Sequence, residues 1–195
     1  MSAHPLRRLA ALTLFLAGPA ASASAQAPDP AAATGVRKEI LQQIDDAERK
    51  YVALAEAMPA EKYAWRPAAG VRSVSEVYMH MVGANYLIPG MAGVKPAPGV
   101  TLSRDMETKV TDKAQVVDML RKSFAYARQA VLEVPDGQLD TPVQLFGRPA
   151  TKRGVLVVMA THAHEHLGQS IAYARMNGVV PPWSMGAGAV GGDAR

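Results

Sequence analysis

The chain has 195 residues, 49% of them hydrophobic and 19% charged, with a formal net charge of +4 and no cysteine. The length suits one domain with a sizeable core, and the lack of cysteine excludes disulfides, a lipid-modified cysteine anchor and any thiol chemistry of the chain's own. The charge is mild, the basic residues are scattered and no aromatic-basic interleaving occurs, so nucleic acid is not an expected partner.

Residues 1–25 read as a secretory signal peptide. Arg7 and Arg8 precede an apolar run from Leu9 to Ala17, and Ala23-Ser24-Ala25 supplies a small-residue cleavage signature. The run is shorter than the roughly 20 residues that a spanning helix needs. The alternative reading of this segment is an uncleaved interfacial anchor. With the signal removed, the expected product is periplasmic or secreted, with no membrane attachment. Residues 26–35, rich in Ala and Pro, read as a disordered leader; 36–184 read as one helical bundle domain, and 185–195 as a flexible Gly-rich tail.

Within the domain, a first helix is expected over 36–58. Ile40, Leu41, Ile44, Ala47, Tyr51, Leu54 and Ala55 recur at three- and four-residue steps, and Pro59 ends it. The stretch 60–71 reads as a turn-rich connector. A second helix starts at Ser73, which with Glu76 matches a capping box. Its apolar residues fill much of its surface, which places it centrally, and Pro89-Gly90 stops it. A loop and linker then run to Thr111. A third helix is expected over 112–134, capped by Thr111 or Asp112, with Val116, Val117, Leu120, Phe124, Ala127, Val131 and Leu132 on its apolar face. After the Pro135-Asp-Gly137 turn, 139–146 reads as an extended segment or hairpin, with Gly147 and Pro149 as breakers. A fourth helix is expected from Thr151 or Lys152 to Met176, closed by Asn177-Gly178. Four amphipathic helices with few strand signals give an all-α fold class, a four-helix bundle with long inter-helix connections.

The candidate site lies in Thr161-His-Ala-His-Glu-His-Leu-Gly-Gln169. His162 and His166 are four residues apart, so their side chains lie about 40° apart on one helix face and can converge on one divalent cation. His80, on the second helix, supplies a third nitrogen. Three protein ligands leave a coordination position open for water or substrate, as in catalytic rather than closed structural sites. Imidazole suits zinc, nickel and iron, so ligand type alone does not select the ion. The competing reading is a hydrogen-bonded core cluster in which the histidines satisfy one another. A di-iron bundle is disfavoured, because that design needs Glu-x-x-His pairs on two helices. His164 is two steps from both neighbours, faces away, and reads as a surface residue or a support for the ligands. Gln169 shares the ligand face, where it would orient a ligand, contact substrate or have no role. Tyr173 reads mainly as packing, Asn85 carries little weight, and Trp65 and Trp183 read as packing residues.

Taken together, Tyr63-Ala-Trp65-Arg-Pro67, Val71-Arg-Ser73-Val-Ser-Glu76, His80, His162 to Gln169 and Tyr173-Ala-Arg-Met-Asn-Gly178-x-x-Pro-Pro-Trp183 resemble the DinB-like proteins of the DinB/YfiT type. The resemblance spans about 36–183. It implies an up-down-down-up four-helix bundle holding a divalent metal on His80, His162 and His166. Relatives include thiol-dependent transferases and a maleylpyruvate isomerase. Those thiol cofactors are mainly cytosolic, whereas this chain reads as exported.

Three functions remain open. One is a metal-dependent hydrolase or transferase using zinc, nickel, manganese or iron on a small-molecule substrate, anionic or thiolate ligands suiting the positive site. Another is a non-catalytic, stress-related metal- or small-molecule-binding protein. The third is a purely structural bundle. A homodimer through an exposed apolar helix face is a further expectation.

Overall fold

A computed structural model describes residues 33–103 and 105–185; the expected signal peptide, most of the leader and nearly all of the tail lie outside these residues. Five α-helices and one hairpin follow in chain order: α1 (Gly35–Ala57), α2 (Val74–Leu87), α3 (Met106–Lys109), α4 (Lys113–Glu133), β1 (Pro142–Leu145), β2 (Arg148–Thr151) and α5 (Lys152–Met176). The four long helices make the bundle. Among the described residues no helix is long and apolar enough to cross a membrane.

The apolar stripe expected on α1 is buried along its whole length, from Ile40 to Ala55. The end of α1 needs particular closure, because Pro59 has no N–H to give the Ala55 carbonyl. The Tyr63 hydroxyl donates to that carbonyl at 2.8 Å, and Lys113 Nζ donates to the carbonyls of Glu56 and Met58. At the other end, Ala33 is buried and Arg37 bonds Asp136 with both Nε and Nη2. The ordered domain therefore takes in Ala33 and Thr34 at the end of the expected leader.

The capping box of α2 is formed: Ser73 Oγ accepts from the Glu76 amide and Glu76 accepts from the Ser73 amide. Nine of the 14 residues of α2 are buried, so the helix is apolar nearly all round, as a central helix must be. Its less buried stripe is Glu76, His80, Gly83 and Leu87. Asp112 caps α4 and Thr151 caps α5. On α4, Val117 and Leu132 are only partly buried, and Ser123 and Ala130 take their places in the core. Tyr51, Tyr63, Tyr78 and Phe124 form the central aromatic contact, with ring centroids 5.5–6.2 Å apart.

Each of α1 and α2 packs on both α4 and α5. Arg37 meets Asp136 while Lys113 meets Glu56, so α1 and α4 are antiparallel. Arg72 meets Glu107 and Asn85 meets Ser123, so α2 runs with α4. Trp65, just before α2, stacks edge-on against Tyr173 late in α5, so α2 and α5 are antiparallel. The bundle is up-down-down-up, with α1 diagonal to α2, α4 diagonal to α5, and the adjacent α2 and α4 parallel, and this demands long connections.

Two connections depart from the sequence reading. The linker before α4 contains the single turn α3, which is too short to show a hydrophobic period. The segment after α4 extends past Gly147: Val143 pairs with Ala150 and Gln144 with Pro149 in an antiparallel ladder. Gly147 makes the turn rather than ending the segment, and Pro149 is accommodated because each strand has a free edge. Trp65 is packed against Tyr173, as expected, and Trp183, in the turn that follows α5 and meets α1, is 37% exposed.

Candidate metal centre

His80 from the middle of α2 and His162 and His166 from the middle of α5 are brought together across the α2–α5 interface. One ligand nitrogen from each lies within 4.8 Å of the other two, and all three side chains are partly buried. The ring centroids are 4.5–5.2 Å apart and the rings meet edge-on rather than stacked.

Two of the rings have a fixed tautomer. His80 Nδ1 lies 2.8 Å from Glu107 Oε1, and an ionised carboxylate can only accept, so Nδ1 carries the proton. His166 Nδ1 lies 2.8 Å from the carbonyl oxygen of the Gln169 side chain and donates to it. In both rings Nδ1 is engaged, which leaves Nε2 as the nitrogen available to a metal. The supports are themselves held. Arg72 Nε donates to Glu107 Oε2 at 2.8 Å, and Gln169 Nε2 donates to the buried Tyr173 hydroxyl at 2.9 Å. Burial pushes Glu107 up, but hydrogen bonds from Arg72 and His80 outweigh it and leave its carboxyl below the ordinary value. Burial, then the neighbouring His166 and His80, push His162 down to about 4, so it is neutral near pH 7. Three imidazoles, two of them backed by acceptors at Nδ1, fit a divalent transition ion.

The site borders a cavity of about 330 Å³, whose lining includes His80, His162, Gly83, Met106, Glu107 and Phe146 among others. A self-satisfied core cluster needs no such space beside it.

His164 stands apart from the cluster, as expected, near Asp46 of α1, whose carboxyl is held below its ordinary value chiefly by the Lys50 hydrogen bond and least by His164. It is less exposed than a surface residue: its Nε2 is enclosed and has no hydrogen-bond partner among the described residues. Asn85 is a buried structural group that donates to Ser123 Oγ. Gln169 and Tyr173 prove to be one relay behind His166. Glu107 was missed by sequence reasoning. It is 27 residues from His80, in a single helical turn inside a linker, and no periodicity marks it.

Comparison with known proteins agrees with the fold. Residues 43–170 match the family model of the DinB superfamily. A DinB-like protein from Bacillus cereus has 24% identity and a TM-score of 0.65 over 74% of this chain and 95% of that one. A conserved protein from Enterococcus faecalis has 20% identity and a TM-score of 0.61 over 74% and 98%. YfiT from Bacillus subtilis, described as a probable metal-dependent hydrolase with an unusual four-helix bundle topology, has 15% identity and a TM-score of 0.58 over 73% and 88%. No curated protein matches the sequence. With two thirds of its length matched by the family model and the bundle reproduced in these structures, the chain belongs to the DinB superfamily.

Proposed function

We propose that this chain is an exported metal-dependent enzyme, of hydrolase or transferase type, acting on a small molecule. One observation carries the reading: three imidazoles, two of them oriented through Nδ1, converge within 4.8 Å, and two of them, His80 and His162, line an open cavity. His80, His162 and His166 would hold the ion. Lacking sulfur and carboxylate donors, this set suits zinc or nickel, with manganese and iron as further candidates. A divalent ion bound there supplies Lewis acidity beside the substrate. Glu107 keeps His80 in its ligating tautomer, Arg72 keeps Glu107 ionised, and the Gln169–Tyr173 pair does the same for His166. The relative described as a probable metal-dependent hydrolase supports the same class.

A specific observation favours a second reading, that of a non-catalytic metal- or small-molecule-binding protein with a stress-related role. Glu107, the carboxylate lining the cavity, has one oxygen bonded to His80 and the other to Arg72, so it is not free to act as a base. Turnover in a screen of esters, amides and thiol-transfer substrates decides between the two.

The first test is elemental analysis of the protein purified from its native compartment without chelator or histidine tag. About one equivalent of one transition metal is expected. No metal, and no uptake on adding zinc, nickel, manganese or iron, would leave a structural bundle. Recovery in the periplasm or medium with a new N-terminus at Gln26 tests the export reading.

A further inference from the structure

Three residues around the cavity are poor choices for folding, and each improves the cavity. The first is Phe146. The turn Phe146-Gly147 has φ of +50° and +77°, and two positive φ values in a two-residue hairpin loop define a type I′ turn. Its first position ordinarily takes Asn, Asp or Gly, which tolerate the left-handed region; a bulky side chain there is strained. The Phe146 ring gains little in return from packing, since it is 61% exposed, yet it lines the cavity that His80 and His162 also line. The second is Gly83, in the interior of α2, where glycine weakens a helix. Steric need does not explain it: a Cβ there would meet only Met106 Cε, at 3.5 Å, an ordinary contact. Its effect is to leave space one turn from His80. The third is Leu87, one turn further along α2, 55% exposed and lining the same space.

We infer that the cavity holds the apolar body of a small substrate, an alkyl or aryl group whose reactive end reaches the three imidazoles, and that Phe146 and Gly83 set which bodies fit. The position of the reactive end rests on the proposed metal site; the apolar pocket does not. The occupant is a small molecule because the space is concave, closed by α2, α3 and the hairpin, and of the size that takes one ligand.

The test uses the mature chain, metal-free and metal-loaded, titrated with straight-chain primary alcohols from butanol to octanol and followed by amide proton–nitrogen shifts. Metal uptake is measured separately by competition with a chromophoric chelator. Affinity should rise about threefold to fourfold per methylene until the chain fills the cavity, with shifts at Gly83, Leu102 and Gly147. Phe146→Asn restores a preferred Asn-Gly turn. It should melt at or above the wild-type temperature and bind the same equivalents of metal, yet bind hexanol about tenfold more weakly. Gly83→Leu should lower the chain length at which affinity stops rising. The inference is overturned by affinities independent of chain length, by wild-type hexanol binding in Phe146→Asn, or by shifts that merely track dissociation of a second copy of the chain from the rim. Alcohol binding without metal uptake would sink the proposed function alone; metal uptake without alcohol binding would sink this inference alone.

Discussion

Replacing Glu107 by glutamine separates an organised metal centre from three histidines that happen to be close. Glu107 accepts from His80 through one oxygen and from Arg72 through the other, each at 2.8 Å. Glutamine has the same shape but one acceptor oxygen and one NH2. If its oxygen faces His80, its NH2 faces the Arg72 guanidinium, donor against donor; if it turns round, it no longer accepts from His80. Either way the charge that stabilises a cation behind His80 is gone. Loss of such a support typically weakens metal affinity 10- to 100-fold, or about 1.4–2.8 kcal/mol of binding free energy. Competition titration of zinc or nickel with a chromophoric chelator should show that loss at unchanged stoichiometry. The apo melting temperature should barely move, because both partners of Glu107 are partly exposed. Gln169→Ala should cost less, since a neutral acceptor is removed and water can replace it. A Glu107→Gln variant that binds metal within twofold of wild type would refute the claim that α3 organises the site.

The ligand set predicts that His80→Ala, His162→Ala and His166→Ala each abolish tight binding while His164→Ala retains about one equivalent of metal; elemental analysis of the purified variants checks it, and metal retained in His162→Ala would exclude the assignment. In the metal-free protein His162 is held at about 4, against about 6.5 in the unfolded chain. Between these values the unfolded state binds more protons, so stability rises with pH through the window and is lost as pH falls from 6.5 toward 4. Urea midpoints measured across that range should show a slope that His162→Ala reduces. Tyr63→Phe leaves the Ala55 carbonyl, already without a helical partner because of Pro59, unsatisfied in a buried place; chemical denaturation should show a loss of about 1–3 kcal/mol with metal stoichiometry unchanged.

The helices were legible because each carries its own signals: the α1 stripe from Ile40 to Ala55, the Ser73–Glu76 capping box, and the caps at Asp112 and Thr151. The ligands were legible because a four-residue step puts His162 and His166 on one face whatever surrounds them, and a histidine set mid-helix among apolar neighbours, such as His80, needs a partner. The supports were legible only where they share a helix with their ligand. Gln169 is three residues from His166, so its place was fixed, although its task was not. Glu107 depends on the path of a linker across α2, which no local period records. The hairpin was half visible: the extended run before Phe146 shows β propensity, but Gly147 and Pro149 look like breakers until the partner strand is known. His164 illustrates a different limit. A helical wheel gives the direction of a side chain, away from the ligands, but not whether that direction meets water or the neighbouring α1.

The topology itself explains why the three ligands and the supporting Glu107 arise in different kinds of segment. Because α1 and α2 lie on one diagonal and α4 and α5 on the other, the connections within these pairs cross an end of the bundle, while the crossing from α2 to the adjacent, parallel α4 runs back along its length. The crossing from α2 to α4 carries Glu107 to His80 and Met106 against Gly83; the crossing from α4 to α5 carries Phe146 to the mouth of the cavity. The helices fix the three imidazoles, since a shift of a helix would disturb the packed core along its length. The crossings are under no such constraint, and they supply the carboxylate that orients His80 and the ring that walls the cavity. Substitutions in the crossings should therefore change metal affinity or ligand fit while leaving the fold intact, whereas substitutions at Tyr51 or Phe124, buried between the helices, should destabilise the bundle and the site together. Large-to-small replacement of a buried aromatic costs about 3–5 kcal/mol, so Phe124→Ala should lose metal only in proportion to the fraction unfolded, a relation that parallel denaturation and chelator titrations would test.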